Sequence, residues 1–152
     1  VVAHLDLDSF FVAVERRHRP ELIGRPVVIG GRPASRGMVA AASREARRCG
    51  IRVGMPLAQA SVRCPDGAFL DGAFDAYFSA SLQVDEVLRR ETPDIEWRSI
   101  DEAFVGLPPG ARPNGASEIA AVERIRQGVR DLGFDLASGL ARSKLVAKIA
   151  SQ

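Results

Sequence analysis

Two short acidic motifs, distant in the chain, constrain this sequence more than any other feature. Asp6-Leu7-Asp8 closes the apolar run Val1-Val2-Ala3-His4-Leu5, and Ser99-Ile100-Asp101-Glu102 stands between the strand-like segments Ile95-Glu96-Trp97-Arg98 and Ala103-Phe104-Val105-Gly106. Carboxylates at the end of one strand and at the tip of a hairpin converge only through tertiary folding. Three acidic side chains meeting there would repel one another unless a cation sat between them. Hard oxygen ligands, without cysteine or histidine, suit Mg²⁺ or Mn²⁺ better than zinc, and such sites commonly serve phosphate chemistry.

The segments around these motifs spell a topology. Val1 to Leu7 is apolar enough for a buried strand, and Phe10 opens a short helix that must stop near Arg19-Pro20, because proline disfavours helical geometry before it. Pro26–Gly31 and Gly37–Ala42 read as strands with a loop between them. Ser43 is placed to cap a helix from Arg44 to Cys49, with Gly50 at the left-handed position beyond it, and Pro56 opens the next helix toward Arg63. Asp75 to Arg90 carries Tyr77, Leu82, Val84, Val87 and Leu88 at helical spacing. A hairpin over about 95–99 and 102–107 follows, then a loop over 108–115, a helix over 116–132, a strand over 134–140 and a helix over 143–150. The expected class is therefore α/β (α+β), a ferredoxin-like βαββαβ order, with residues 11–73 inserted after the first strand. The first and third strands are neighbours in that topology, so Asp6 belongs beside the hairpin tip.

At 152 residues the chain suits one domain, or one domain carrying an insertion. It has no apolar run long enough for a membrane span and no secretory signal at its start. Cys49 and Cys64 have neither metal-type spacing nor the numbers of a disulfide framework, and read as free thiols of a cytoplasmic protein. Charge is unevenly distributed: residues 11–73 hold 11 arginines against 5 acids, whereas the remainder holds 10 basic residues against 14 acids. A basic block beside an acidic one fits a part that touches polyanions and a part that holds cations; an Arg-rich solvated surface reads equally well from charge alone.

Several residues carry a second reading. Asp101 and Glu102 are adjacent, so an extended strand would point them to opposite faces, and only a tight turn aims both at one ion. Ser99-Ile100-Asp101-Glu102 also matches a capping box, although its β-branched and aromatic flanks argue against a helix there. Asp8 is read as the cap of the helix beginning near Phe10 rather than as a ligand. Of Phe10 and Phe11, at least one is expected in the core, and the other either packs there too or lies flat beneath a sugar ring. Arg44 and Arg47 share a helix face and can grip phosphate oxygens with forked hydrogen bonds, or be solvated charge. His4 and His18 look structurally ordinary.

The assembled pieces resemble the Y-family translesion DNA polymerases, most closely the DNA polymerase IV (DinB-like) branch. The matching segments run from end to end: His4 to Glu15, Arg25 to Gly31, Ala42 to Arg47, Gly54-Met55-Pro56, Phe74-Asp75-Ala76-Tyr77, Ser99 to Ala103, and Ala147 to Ser151. The resemblance implies a palm of residues 1–10 and 74–152 and small fingers of residues 11–73. It implies Asp6, Asp101 and Glu102, with the Leu7 carbonyl, as ligands of two Mg²⁺ ions, for which Mn²⁺ can substitute. Phe11 would be the steric gate against ribonucleotides, and the amides of Phe10 and Phe11, with Arg47, would hold the triphosphate. Primer–template DNA and dNTP are the implied partners, with low-fidelity lesion bypass in a bacterial-type, nucleoid-associated setting and no membrane.

Two departures stand out. Relatives commonly place a tyrosine where this chain has Arg44, which keeps phosphate binding but loses stacking and a hydroxyl. The chain also stops at Gln152, before the triphosphate-contacting lysine, the thumb and the little finger that the family carries, and before any clamp-binding region. Beside the polymerase reading stand a non-catalytic DNA-binding or scaffold relative, which the intact acidic triad disfavours, and a nucleotide cyclase, which a gate-like Phe11 disfavours because a cyclase must accept a 2′-hydroxyl.

Overall fold

The computed structural model describes residues 1–107 and 116–152, so the loop expected over 108–115 lies outside the described residues. In chain order the elements are β1 (Val2–Leu7), α1 (Phe10–His18), a 3₁₀ turn (Pro20–Leu22), β2 (Val27–Ile29), β3 (Ala41–Ala42), α2 (Arg44–Arg48), α3 (Leu57–Arg63), β4 (Ala68–Leu70), α4 (Phe74–Glu91), β5 (Ile95–Trp97), β6 (Glu102–Gly106), α5 (Ala116–Asp131), β7 (Leu136–Ala141) and α6 (Lys144–Ala150). They form two units, Val1–Asp8 with Phe78–Gln152, and Ser9–Tyr77.

The first unit is built on an antiparallel sheet of order β5-β6-β1-β7, the ferredoxin-like arrangement expected from the sequence. Period-2 alternation gives β1 two different faces. Ala3, Leu5 and Leu7 are buried, and Leu5 and Leu7 share a small cavity with Val84 and Leu88 of α4. Each such aliphatic side chain contributes about 1.5–3 kcal/mol on burial. Val2, His4 and Asp6 occupy the other face, over which α6 lies. Gly139, opposite His4 on β7, permits that approach: a Cβ there would stand 2.1 Å from the Ala147 carbonyl oxygen and 2.5 Å from the Ser151 nitrogen. Ser143 caps α6, its side chain accepting from the Val146 amide at 3.4 Å.

The second unit carries a three-stranded sheet of order β3-β2-β4. Val28, Val39, Ala42, Ala46, Ile51, Leu57, Ala60 and Cys64 form its core. Ser43 caps α2 as expected, its hydroxyl oxygen accepting from the Ala46 amide at 3.2 Å and also from the Val27 amide at 2.9 Å, which ties the helix start to β2.

Local expectations are corrected at four places. The strand expected over Gly37–Ala42 is reduced to Ala41–Ala42, because Val39 bonds instead to the Gly54-Met55 loop (Val39 N–H to the Met55 oxygen 2.8 Å; Gly54 N–H to the Val39 oxygen 2.8 Å). β4 pairs parallel with β2 and had no sequence signal, since three residues are too few to display alternation. Pro56 occupies the N-cap of α3 rather than its first turn. Ser9, not Asp8, stands at the N-cap of α1, in the left-handed region at φ 49°, and its side chain makes no cap hydrogen bond.

Candidate active site

Strand register brings the two acidic motifs together. Asp6 of β1 is paired directly across from Glu102 of β6, so both side chains leave the same face of the sheet. Asp101 sits one residue earlier in the hairpin tip. That tip is fixed by its backbone: the Leu7 N–H donates to the Asp101 oxygen at 3.0 Å, and the Arg98 N–H donates to the Glu102 oxygen at 2.8 Å. The Ser81 hydroxyl of α4 donates to the Ile100 oxygen at 2.6 Å. No helix starts at Ser99, so the capping-box alternative is excluded and Glu102 begins a strand.

The three carboxylates differ in their surroundings. Atoms packed around the Asp6 carboxyl, and then repulsion from Asp101 and Glu102, raise its pKa, with His4 and Lys148 acting in the opposite direction. Hydrogen bonds from Lys148 and His4 lower the pKa of Glu102. The Lys148 Nζ lies 2.6 Å and the His4 Nε2 2.9 Å from Glu102 Oε1. The Ser99 hydroxyl donates to Asp101 Oδ1.

His4 Nδ1 is 2.7 Å from the Ser151 hydroxyl, so Ser151, His4 and Glu102 line up as in a hydrolase triad. His4 is only 1% exposed and has no access to a substrate; the array is a brace.

Among the described residues, no trio of His, Cys, Asp and Glu side chains is already gathered around one point, because Asp101 turns to Ser99 and Glu102 to Lys148 and His4. The donor set still suits a hard divalent cation. It is all oxygen and contains two facing carboxylates, and repulsion from Asp101 and Glu102, which adds to the burial that raises the Asp6 pKa, is what a cation would relieve.

The Ser9–Tyr77 unit holds the remaining expected residues. Phe10 is buried and Phe11 half-buried. The Phe11 ring stacks on Tyr77 with centroids 4.5 Å apart and planes 10° from parallel, and Phe74 meets both rings edge-on. Arg47 donates through Nη2 to the Ser9 hydroxyl at 2.9 Å, while Arg44 is an exposed residue at the start of the same helix. The amides of an α-helix's first turn have no acceptors within the helix, and Phe10 and Phe11 open α1.

Three site-shaping residues escaped the sequence reading. His4 and Lys148 hold Glu102, and His4 carried a usable signal: it lies two residues before Asp6, on the same strand face. Glu15 is a 2% exposed carboxylate bonded by the Tyr77 hydroxyl, the Arg19 guanidinium and the Ala73 N–H (3.1 Å). Burial alone would raise its pKa, but these bonds bring it below the usual range.

Similarity to known proteins agrees with this geometry. DNA polymerase IV of Alkalilimnicola ehrlichii is 44% identical over 151 residues, covering 99% of this chain and 42% of the relative. DNA polymerase IV of Listeria innocua is 38% identical over 150 residues, with the same coverage of 99% and 42%. The chain thus spans less than half the length of these curated relatives. Its fold matches the crystal structure of DinB from Sulfolobus solfataricus with a TM-score of 0.90 at 29% identity, covering 99% of this chain and 44% of that one. The insertion ternary complex of Dbh DNA polymerase gives 0.89 at 30% identity, covering 99% of this chain and 45% of that one. The family model described as impB/mucB/samB matches residues 5–152, and with it the resemblance seen in the motifs is borne out: the chain belongs to the impB/mucB/samB (IMS) family of Y-family polymerases.

Proposed function

We propose that this chain carries the catalytic portion of a template-directed DNA polymerase that transfers a nucleotide from dNTP to a primer 3′-hydroxyl, in the low-fidelity, lesion-bypass manner of DNA repair synthesis. The observation that carries the reading is the direct pairing of Asp6 with Glu102, beside Asp101. Asp6, Asp101 and Glu102, with the Leu7 carbonyl, would hold two Mg²⁺ ions. Bound there, the ions supply activation of the primer hydroxyl and neutralisation of charge on the triphosphate.

The protein's own part is positioning, which is most of what phosphoryl transfer requires. Residues 1–10 and 74–152 would serve as palm and 11–73 as fingers. The first-turn amides at Phe10 and Phe11 would bind triphosphate oxygens, Arg47 would add a forked contact, and Arg44 a further charge. Phe11 would lie beneath the sugar and clash with a 2′-hydroxyl. Gly37, Ala40 and Ala41 would leave room for a damaged base. Primer–template DNA and dNTP are the partners, a sliding clamp would be engaged by regions outside this chain, and the setting is a bacterial-type cytoplasm at the nucleoid.

The test is Mg²⁺-dependent primer extension by the chain within a polymerase of its relatives' length, beside Asp101→Ala/Glu102→Ala. Extension by the unmodified protein alone supports both the activity and the acidic triad. Equal inactivity with intact DNA binding supports the scaffold reading, which Arg44, in place of the tyrosine the resemblance implies, keeps open.

A further inference from the structure

We infer that His4, locked from behind by Ser151, is a positioning residue that clamps Glu102 by Oε1 and leaves Oε2 as the oxygen that ligates a cation, while Lys148 is a resident charge that stands in for the cation until it arrives. The inference rests on the reading of Asp6, Asp101 and Glu102 as a cation site, and goes beyond it by assigning work to residues that touch no substrate.

The two donors to Glu102 share one oxygen. His4 Nε2 at 2.9 Å and Lys148 Nζ at 2.6 Å both reach Oε1, and among the described residues none bonds Oε2. An ionised carboxylate only accepts, so Nε2 carries a proton and donates. A protonated ring nitrogen has no lone pair for a metal, so His4 cannot be a ligand from this position although it neighbours the site.

The imidazole is held on three sides. Its Nδ1 meets the Ser151 hydroxyl at 2.7 Å, and its ring packs on Phe104 at a centroid distance of 4.8 Å. The Ser151 hydroxyl is itself anchored, lying 2.8 Å from the Lys148 oxygen, and with Nε2 protonated a neutral ring accepts the hydrogen bond of the single Ser151 proton at Nδ1. A ring 1% exposed and fixed in this way cannot follow a moving carboxylate, so it sets where Glu102 rests. Lys148 differs in kind: its side chain is 44% exposed on a flexible stem, and its ammonium can withdraw. Bidentate ligation by Glu102 would need Oε1 to leave both donors, whereas ligation through Oε2 leaves the clamp intact.

The two roles give opposite signs in one measurement. Mn²⁺ is titrated into the chain and the free ion followed by electron paramagnetic resonance, with circular dichroism to confirm the fold of each variant. His4→Phe should weaken binding roughly tenfold, the lower end of the loss for removing an outer partner of a metal ligand. His4→Gln, whose amide can still donate to Oε1, should recover part of that loss. Lys148→Met should strengthen binding, because a competing cation is gone. Should His4→Phe fold poorly, Ser151→Ala unlocks the ring without removing it, and a weaker Mn²⁺ affinity is expected. Unchanged affinity in folded His4→Phe, or in Ser151→Ala, overturns the clamp; weakened binding in Lys148→Met overturns the stand-in role. Glu102→Ala separates the two levels: loss of binding there with no effect at His4 refutes this inference alone, whereas Mn²⁺ binding indifferent to Glu102→Ala, or no Mn²⁺ binding by the chain at all, refutes the cation site and the inference with it.

Discussion

The ring of Phe11 lies on the ring of Tyr77, 4.5 Å between centroids and within 10° of parallel. Tyr77 is wholly buried, and its hydroxyl donates to the buried Glu15. A half-buried ring backed by an immobile one makes a hard wall, and a hard wall is what exclusion by shape requires. If Phe11 is the steric gate proposed above, truncating it should open the sugar position. Phe11→Ala, in a polymerase of the relatives' length, is expected to raise ribonucleotide incorporation relative to deoxyribonucleotide by at least about tenfold, the scale of discrimination that a hydrophobic contact supplies. Competition between rNTP and dNTP in primer extension reads it directly, and unchanged exclusion of ribonucleotides removes Phe11 from the role.

The support beneath that wall is acid-sensitive. Hydrogen bonds from Tyr77 and Arg19 outweigh the cost of burying Glu15 and hold its pKa below its ordinary 4.5. A folded pKa that is depressed contributes stability fully present above the unfolded value and lost as pH falls through the folded one. Urea unfolding between about pH 6 and pH 3 should therefore show an acid limb that flattens in Glu15→Gln. At neutral pH that variant should lose roughly 1–3 kcal/mol, the range for a buried hydrogen bond to a charged group. A parallel acid limb in the two proteins would mean that Glu15 does not titrate differently on folding.

How far the sequence reached depended on how local each feature is. The Asp6–Glu102 pairing follows from strand alternation and a connection order, both written in short segments, and so it was legible. The lock behind that pair was not, because Ser151 and Lys148 reach His4 and Glu102 only when α6 crosses the sheet, and that crossing depends on Gly139, far away in sequence. Ser9 adopts a left-handed conformation without being glycine, so no residue type announced that Asp8 would be passed over as the cap. Glu15 gave no signal within its short helix, since periodicity cannot reveal that Ala73 and Tyr77 fold back onto it. β4 was invisible because three residues carry too little pattern.

Arg47 separates phosphate binding from surface charge. Its Nη2 reaches the Ser9 hydroxyl at 2.9 Å, which brings its guanidinium to the start of α1. Arg47→Ala should raise the KM for dNTP by about tenfold or more, given 1.5–3 kcal/mol for a charge-assisted hydrogen bond, while thermal stability stays nearly constant because the residue is exposed. Steady-state kinetics beside a melting curve distinguishes the two, and an unaltered KM would leave Arg47 as solvated charge.

Gly139 offers the sharpest structural prediction, because backbone rather than side chain meets any added atom. A Cβ at Gly139 would lie 2.1 Å from the Ala147 oxygen, inside any tolerable contact. The φ of Gly139 is not in the left-handed region, so alanine strains the packing rather than the strand. Gly139→Ala must therefore lift the end of α6 from the sheet, at a cost of at least the 1–3 kcal/mol typical of overpacking. Lifting α6 carries Lys148 away from Glu102 and Ser151 away from His4 together, since both ride on that segment. The amides of Ala147 and Ser151, bonded at 3.0 and 3.2 Å to the Ser143 and Ala147 oxygens, are expected to exchange hydrogen faster in this variant. Native-state exchange by mass spectrometry tests it; protection of α6 equal to that of the parent would show that the sheet yields instead of the helix.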